Sequence, residues 1–381
     1  MLKLLTIVGA RPQIIKAAAL SRVLREGWGS SVSEKILHTG QHYDSNMSAV
    51  FFEELGIPLP DYNLGVGSGR HGEQTAKMIS GVEEVLEGET FDGVVLYGDT
   101  NSTLAGAVAA AKLHVPVFHI EAGLRSYNMA MPEEQNRIVC DALSSICFAP
   151  TQTAEANLKR EGYADSRAVF AGGRRRKVVV SGDVMYDNSL YFAPIAAAKS
   201  DIMKRLGLEE GGYILATVHR DNNTDQPERL GGIVEALIEI AERHGVRVVV
   251  PMHPRTAKLL PRNLTPELLA KLEGMRQVTV VPPVSFFEII ELERHAQVVM
   301  TDSGGVQKES FFFGRPSVIL RPETEWVEIV EHGAGVVADA DRERIVEAYE
   351  DFAGRQVQFP PLFGDGHAAE HIVEEIAAYL S

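Results

Sequence analysis

Two cysteines, Cys140 and Cys147, are all that 381 residues contain. A disulfide framework and a four-cysteine zinc site are therefore excluded, and a reducing compartment fits. Long apolar runs are absent too: none reaches the roughly 18 residues of a membrane span. The opening MLKLLTIVGARP is apolar only briefly and shows no signal-peptide cleavage pattern, so a cytoplasmic location is expected. Basic residues are scarce, 37 against 52 acidic, for a net charge of −15. That balance argues against a nucleic-acid or anionic-membrane partner, while a local basic cleft for a small anionic ligand stays open. No Gly-x-x-x-x-Gly-Lys-Ser/Thr loop and no Gly-x-Ser-x-Gly elbow occurs, which disfavours a P-loop nucleotidase and the usual α/β hydrolase.

What the chain has is alternation. Short apolar strands such as LLTIV, GVVLY, VPVFHI, GYILATV, VRVVVPM and QVVM are each followed by an amphipathic helical pattern. This order predicts an α/β fold of parallel sheets with helices on both faces. The strands are too many for one comfortable sheet, so two doubly wound domains are expected. Their boundary is placed between 170 and 195, with domains at 1–175 and 190–362. The Arg174–Lys177 run reads as a solvated loop.

In such folds ligands sit beyond the carboxyl ends of the strands. Arg11 and Lys16 follow the first strand, Asp99 follows GVVLY, and Glu121 and Arg125 follow VPVFHI. His219 and Arg220 follow GYILATV, His253 and Arg255 follow VRVVVPM, and Asp302 to Gly305 follow QVVM. One such coincidence is explained by ordinary capping; six in one chain point to a ligand site. The turn at Ser303, Gly304 and Gly305 opens a helix, whose free N–H groups and dipole suit an anion, although Ser303 also suits plain capping. Glu133 sits in a first helical turn, where an acidic residue is favourable without any catalytic role. Glu121 is harder to explain so, because it directly follows a strand that reads as buried on both faces.

Two further patterns carry less. Gly67, Gly69 and Gly72 match a dinucleotide fingerprint, but PDYNL precedes them rather than a buried strand, and a loop is expected. His367 and His371 in HAAEH match an inverted zinc-protease spacing but lack an evident third ligand; a solvated helix face is expected, and no metal.

The segments GARPQIIK, HTGQHYD, YGDTNSTLAG, HIEAGLRS, MPEEQNR, HRDNNTD, HPRT and TDSGGVQKE occur in that order. Together they closely resemble the non-hydrolysing UDP-N-acetylglucosamine 2-epimerases over nearly the whole chain. The resemblance implies two Rossmann-like domains of the glycosyltransferase B type with substrate in the interdomain cleft. It also implies a C-terminal helix at 363–381 crossing back to the first domain, no cofactor, and a homodimer. The implied reaction expels UDP from C1 while a base removes the C2 proton, and UDP then adds back to the resulting 2-acetamidoglucal. By the same resemblance Asp99, Glu121 and Glu133 are the acid–base and sugar-stabilising carboxylates. Arg11, Lys16 and His219 would stabilise the diphosphate, with Arg220 beside them. Ser303, Gly304 and Gly305 would hold phosphate, Glu309 the ribose, and the segment at Val284 to Phe286 the uracil.

The expected substrate is UDP-N-acetylglucosamine. The alternative is UDP-2,3-diacetamido-glucuronic acid, whose branch shares the amide of Gln13 where many members carry Glu; losing that carboxylate would ease binding of an acidic sugar. A glycosyltransferase is the more distant alternative, told apart by its need for an acceptor. Some members are activated by a second substrate molecule, and the matching positions are Gln41, His42, Gln74 and His253. Asp44 and Glu73 replace the Gln and Arg found there, so activation is expected to be weak, with a Hill coefficient near one.

Overall fold

The computed structural model describes residues 1–40, 52, 55–165 and 167–381; Gln41, His42 and Asp44 lie outside them. The described chain forms two compact units, Met1–Asn188 with Pro361–Ser381, and Ser189–Pro360.

The first unit is built on a parallel sheet of seven strands: β1 (Leu2–Val8), β2 (Val32–His38), β3 (Tyr62–Asn63), β4 (Gly93–Tyr97), β5 (Val117–Ile120), β6 (Ile146–Ala149) and β7 (Lys177–Val180). Their spatial order is β3-β2-β1-β4-β5-β6-β7. Strands β4, β5 and β6 are buried along their whole length, as aliphatic and aromatic runs become when helices cover both faces. Strand order reverses between β1 and β4, so the switch-point crevice lies beyond Val8 and Tyr97.

The second unit repeats the design with six parallel strands: β8 (Tyr213–Thr217), β9 (Arg247–Pro251), β10 (Val278–Val281), β11 (Val298–Thr301), β12 (Ser317–Ile319) and β13 (Gly335–Val337). The order is β10-β9-β8-β11-β12-β13, which puts its switch point beyond Thr217 and Thr301. There the two threonine hydroxyls meet at 2.6 Å. A core of Ile214, Val248, Val298, Met300, Leu237 and Ile345 fills the space between this sheet and its helices.

The C-terminal helix Ala368–Leu380 belongs to the first unit. Its first N–H groups, from Ala368 and Ala369, donate to the Asp187 carboxylate at 3.1 and 2.7 Å. Its far end puts Tyr379 edge-on to Phe118 of β5.

The Arg174–Lys177 run departs from a solvated loop. Arg174 lies over the Tyr379 ring, while Arg176 stacks on Tyr163 and Phe170 and donates to the carbonyls of Ser144 and Ala142. Planar guanidinium groups cover aromatic surface while their donors stay paired, so two of the four charges serve packing. Gly67 and Gly69 form a loop, and Gly72 opens the helix His71–Gly88. The strand before them is the two-residue edge strand β3 rather than the first strand of a nucleotide-binding unit. His367 and His371 are exposed and face Glu370 and Glu375 on the same helix.

Candidate active site

The first unit assembles its functional groups at the carboxyl edge of β1, β4 and β5. Beyond β1, Gly9 and Ala10 turn into the helix Arg11–Val23. Gln13 organises that turn. It is 1% exposed, its side-chain carbonyl accepts from the N–H groups of Gly9 and Ala10, and its amide donates to the Tyr97 carbonyl and the Thr103 hydroxyl. The amide is thus bonded inside the fold, joining the β1 and β4 turns. Arg11 at the helix start is exposed, and Lys16 is half-buried one turn on.

Lys16 reaches the carboxylate of Glu121, directly after β5. Glu121 is 9% exposed and takes a left-handed backbone, φ +71°, which costs a non-glycine residue on the order of 1 kcal/mol or more. The fold holds it there from both sides. Before it, the Ile120 carbonyl accepts from the Gly98 N–H at 3.0 Å; after it, Ala122 donates to the Phe148 carbonyl and Gly123 to Asp141 Oδ2. Gly98 and Gly123 are themselves left-handed, at φ +62° and +81°. A Cβ on Gly98 would sit 3.2 Å from Lys16 Nζ, so glycine there leaves room for the ion pair. Backbone strain of this kind clusters at functional sites, which makes Glu121 a candidate for one.

Asp99, next to Gly98, keeps a half-open carboxylate paired with Arg137. Arg137 also pairs with Glu134, and the Glu134 carboxylate accepts from the N–H groups of Ser126 and Tyr127. Glu133 is half-exposed in the first turn of the helix Pro132–Leu143, while its neighbour Glu134 is buried and ties the Ser126 loop to Asp99 through Arg137. Gln74 is likewise bonded within the fold. Its amide donates to the Gly67 carbonyl and its carbonyl accepts from Asn101, and Asn136 links Asn101 to the Asp99 carbonyl. Glu73 pairs with Lys77 in solvent.

Under β5 lies a buried charge network. His119 Nε2 donates to the Gly98 carbonyl at 2.7 Å, and Nδ1 lies 2.7 Å from Asp141 Oδ1. Arg125 pairs with Asp141 at 2.7 Å and makes a two-pronged contact with Glu161. Burial opposes the charge on His119, but Cys140 and Asp141 outweigh it and raise its pKa to about 10. The folded ring thus binds its proton more tightly than the unfolded one. The stability this contributes is complete below about pH 6.5 and is lost as pH climbs through about 10. Thermal midpoints measured across that window should fall for the wild type and lose that component of the slope in H119Q.

The second unit presents an anion-type turn. Ser303 caps the helix Gly304–Phe312, its hydroxyl accepting from the Val306 N–H, so the capping role is real. Gly305 is exposed at that helix start, and the Glu309 carboxylate lies 3.9 Å from where a Gly305 Cβ would stand. Gly304 cannot be replaced without moving Glu325, whose carboxylate would be 2.9 Å from the new carbon. Asp302, fully buried, accepts from the N–H groups of His219 at 3.0 Å and Arg220 at 3.0 Å and from the Asn223 amide at 3.1 Å. One carboxylate therefore fixes the loop carrying His219 and Arg220 against the Ser303 turn. In the sequence Asp302 reads only as a strand end; its place beside a predicted loop of free N–H groups is the available signal.

In the segment Val284 to Phe286, the Phe286 ring is buried against Phe192 and Phe287. His253 caps the helix Pro254–Asn263, its Nδ1 accepting from the Arg255 N–H. Glu293 carries no sequence signal at all. It is buried with both carboxylate oxygens unpartnered, and burial followed by the charge of Glu309 raises its pKa well above the ordinary range.

The profile of the UDP-N-acetylglucosamine 2-epimerase family matches residues 29–377. A UDP-2,3-diacetamido-2,3-dideoxy-D-glucuronate 2-epimerase of Pseudomonas aeruginosa is 49% identical over 99% of both chains. A UDP-N-acetylglucosamine 2-epimerase of Methanocaldococcus jannaschii is 40% identical over 98% of both. The crystal structure of the M. jannaschii UDP-GlcNAc 2-epimerase in complex with UDP-GlcNAc and UDP superposes with a TM-score of 0.85, at 39% identity, covering 99% of this chain and 100% of that one. Two Rossmann-like doubly wound domains of the glycosyltransferase B type, with these segments at their strand ends, place the chain in the UDP-N-acetylglucosamine 2-epimerase family.

Proposed function

We propose that the protein inverts C2 of a UDP-linked 2-acetamido sugar without a cofactor. No carbonyl at C1 acidifies the C2 proton, so a direct proton swap is disfavoured. In the proposed route a carboxylate takes the C2 proton, the C1–O bond breaks with its electron pair leaving on UDP, and a C1–C2 double bond forms. UDP then adds back at C1 as a proton is delivered to the other face of C2. Electrons balance with no oxidant. Two faces require two proton-carrying positions, which Asp99, Glu121 and Glu133 supply. Arg11, Lys16 and His219 answer the charge gathering on the diphosphate, Arg220, Ser303, Gly304 and Gly305 hold it, and Glu309 takes the ribose hydroxyls.

The observation that carries this reading is Glu121, held left-handed and in contact with Lys16. As charge builds on the leaving diphosphate, Lys16 can turn toward it and release Glu121 as a stronger base. Of the two sugars, the diacetamidoglucuronate is favoured by the 49% identical relative. UDP-N-acetylglucosamine is the second reading, favoured by the M. jannaschii enzyme. A cytoplasmic homodimer completes the proposal; among the described residues no helix is long and apolar enough to cross a membrane.

Proton NMR in heavy water, with each UDP-sugar separately and no acceptor, tests it. The expected result is a new anomeric signal from the C2 epimer with deuterium entering at C2, faster with the diacetamidouronate. Absence of exchange with both sugars, in a folded protein that binds UDP, would sink the reading.

A further inference from the structure

His119 lies fully buried at the centre of the β4–β5 edge, and none of the proposed steps uses it. Its two ring nitrogens face two acceptors. The Gly98 carbonyl can only accept, so Nε2 must carry a proton; the Asp141 carboxylate accepts on the other side, so Nδ1 must carry one as well. A neutral ring would leave one bare nitrogen 2.7 Å from an acceptor oxygen in a buried site, the Gly98 carbonyl in one tautomer and the Asp141 carboxylate in the other. Geometry thus requires an imidazolium, and its raised pKa agrees.

The same ring is tied to two glycines beside Glu121, to Gly98 directly and to Gly123 through Asp141. Through Nε2 it fixes the carbonyl of Gly98, on whose Cα the Lys16–Glu121 pair rests, 3.2 and 3.6 Å from a notional Cβ. Through Asp141 it fixes Gly123, whose N–H donates to Asp141 Oδ2. Arg125 and Asn157 hold the far side, the latter donating to the Gly123 carbonyl at 3.0 Å. The Gly98 carbonyl, on the turn beside Glu121, and the Gly123 N–H, two residues after it, are therefore both referred to one Asp141–His119 pair. Gly98 also leads straight into Asp99, so its peptide plane sets the start of the second carboxylate's turn.

We infer that His119 is a positioning residue for the epimerisation, its ring setting the geometry in which Glu121 meets Lys16 while never touching substrate. The inference rests on the proposed reaction. Misplacing a reactive carboxylate by about 1 Å costs on the order of 100-fold in rate, with little change in substrate binding, which belongs to other groups.

Two isosteres separate this from mere core packing. Gln at 119 can keep the donor to the Gly98 carbonyl and lose the one to Asp141, which Arg125 still neutralises. Asn at 119 can keep the donor to Asp141 and lose Gly98. With the preferred UDP-sugar, H119N is expected to lose about 100-fold in kcat with KM within about threefold, and H119Q to stay within about tenfold of wild type. In nitrogen-15-labelled wild-type protein at about pH 8, one histidine absent from both variants should show protons on both ring nitrogens, where an ordinary imidazole is neutral. Equal losses in both variants, wild-type kcat in H119N, or a neutral His119 ring would each overturn the inference. If H119N does not fold, the ring's protonation and the kcat of H119Q decide, a loss well beyond tenfold counting against it. A wild-type protein inactive on both sugars would instead defeat the proposed reaction, and the inference with it.

Discussion

Glu121→Gln is expected to reduce epimerisation about 1,000-fold while leaving UDP affinity within about threefold of wild type. The amide fits the same left-handed turn and can still accept from Lys16, so the fold around Gly98 and Gly123 should survive. What it cannot do is take a proton from carbon, and a positioned acid–base group contributes typically 10²–10⁴-fold. Deuterium entry at C2, followed by NMR, reads the chemical step directly; calorimetry with UDP reads nucleotide binding, which the proposal assigns to the other unit. A loss smaller than tenfold would reassign the base to Asp99 or Glu133. Loss of UDP binding would show that the Glu121 turn supports more than the sugar. Lys16→Met should resemble E121Q in rate, since it removes both the partner of Glu121 and a cation that the proposed route assigns to the departing diphosphate.

Asp302→Ala is the second large effect. Asp302 is fully buried and is the acceptor for the His219 and Arg220 N–H groups and for the Asn223 amide. Removing it takes the acceptor from two partly buried N–H groups and leaves the Asn223 amide only the Leu320 carbonyl, at a cost of about 2 kcal/mol in folding stability. The loop carrying His219 and Arg220 then loses its anchor to the Ser303 turn, and UDP affinity should drop at least tenfold. Urea denaturation and UDP calorimetry on the same preparation measure both. D302N, which retains one acceptor oxygen, should fall between. A variant with wild-type stability and affinity would mean the loop is held by its own helix, Asp221–Thr224, rather than by the carboxylate.

The architecture was largely legible because its signals are long-range in pattern but local in chemistry. Runs such as GVVLY and VVMT are buried throughout, as uninterrupted apolar strands require in a parallel sheet. The strand ends carrying Asp99, Glu121, His219 and Ser303 were legible for the same reason, since the carboxyl edge follows from strand order alone. What was not legible is which polar residues point outward and which are consumed inside. Gln13 reads as a possible sugar-facing amide, yet every polar atom of its side chain is bonded within the β1 and β4 turns. Glu133 and Glu134 are adjacent and identical in type; helix phase puts one toward solvent and the other under the Ser126 loop. Phe286 follows a helix-capping serine and turns into an aromatic core that nothing nearby in sequence announces. The His119–Asp141–Arg125–Glu161 network joins residues from one strand, one turn and the ends of two helices, and no spacing rule connects them.

The unit that begins the chain is also the one that ends it, with Pro361–Ser381 completing what Met1–Asn188 starts. During synthesis the seven strands of its sheet leave the ribosome long before the helix whose amides close on Asp187 and whose Tyr379 meets Phe118. The whole of the other unit, Ser189–Pro360, is made in between. At roughly 5–20 residues per second this is a wait on the order of ten seconds or more, with part of the first core uncovered. The inserted unit, continuous in sequence, can fold as it emerges, whereas the unit carrying Glu121 is finished only once Pro361–Ser381 have been made. The order of synthesis thus completes the unit carrying the His219 and Ser303 loops first and the unit carrying Glu121 last.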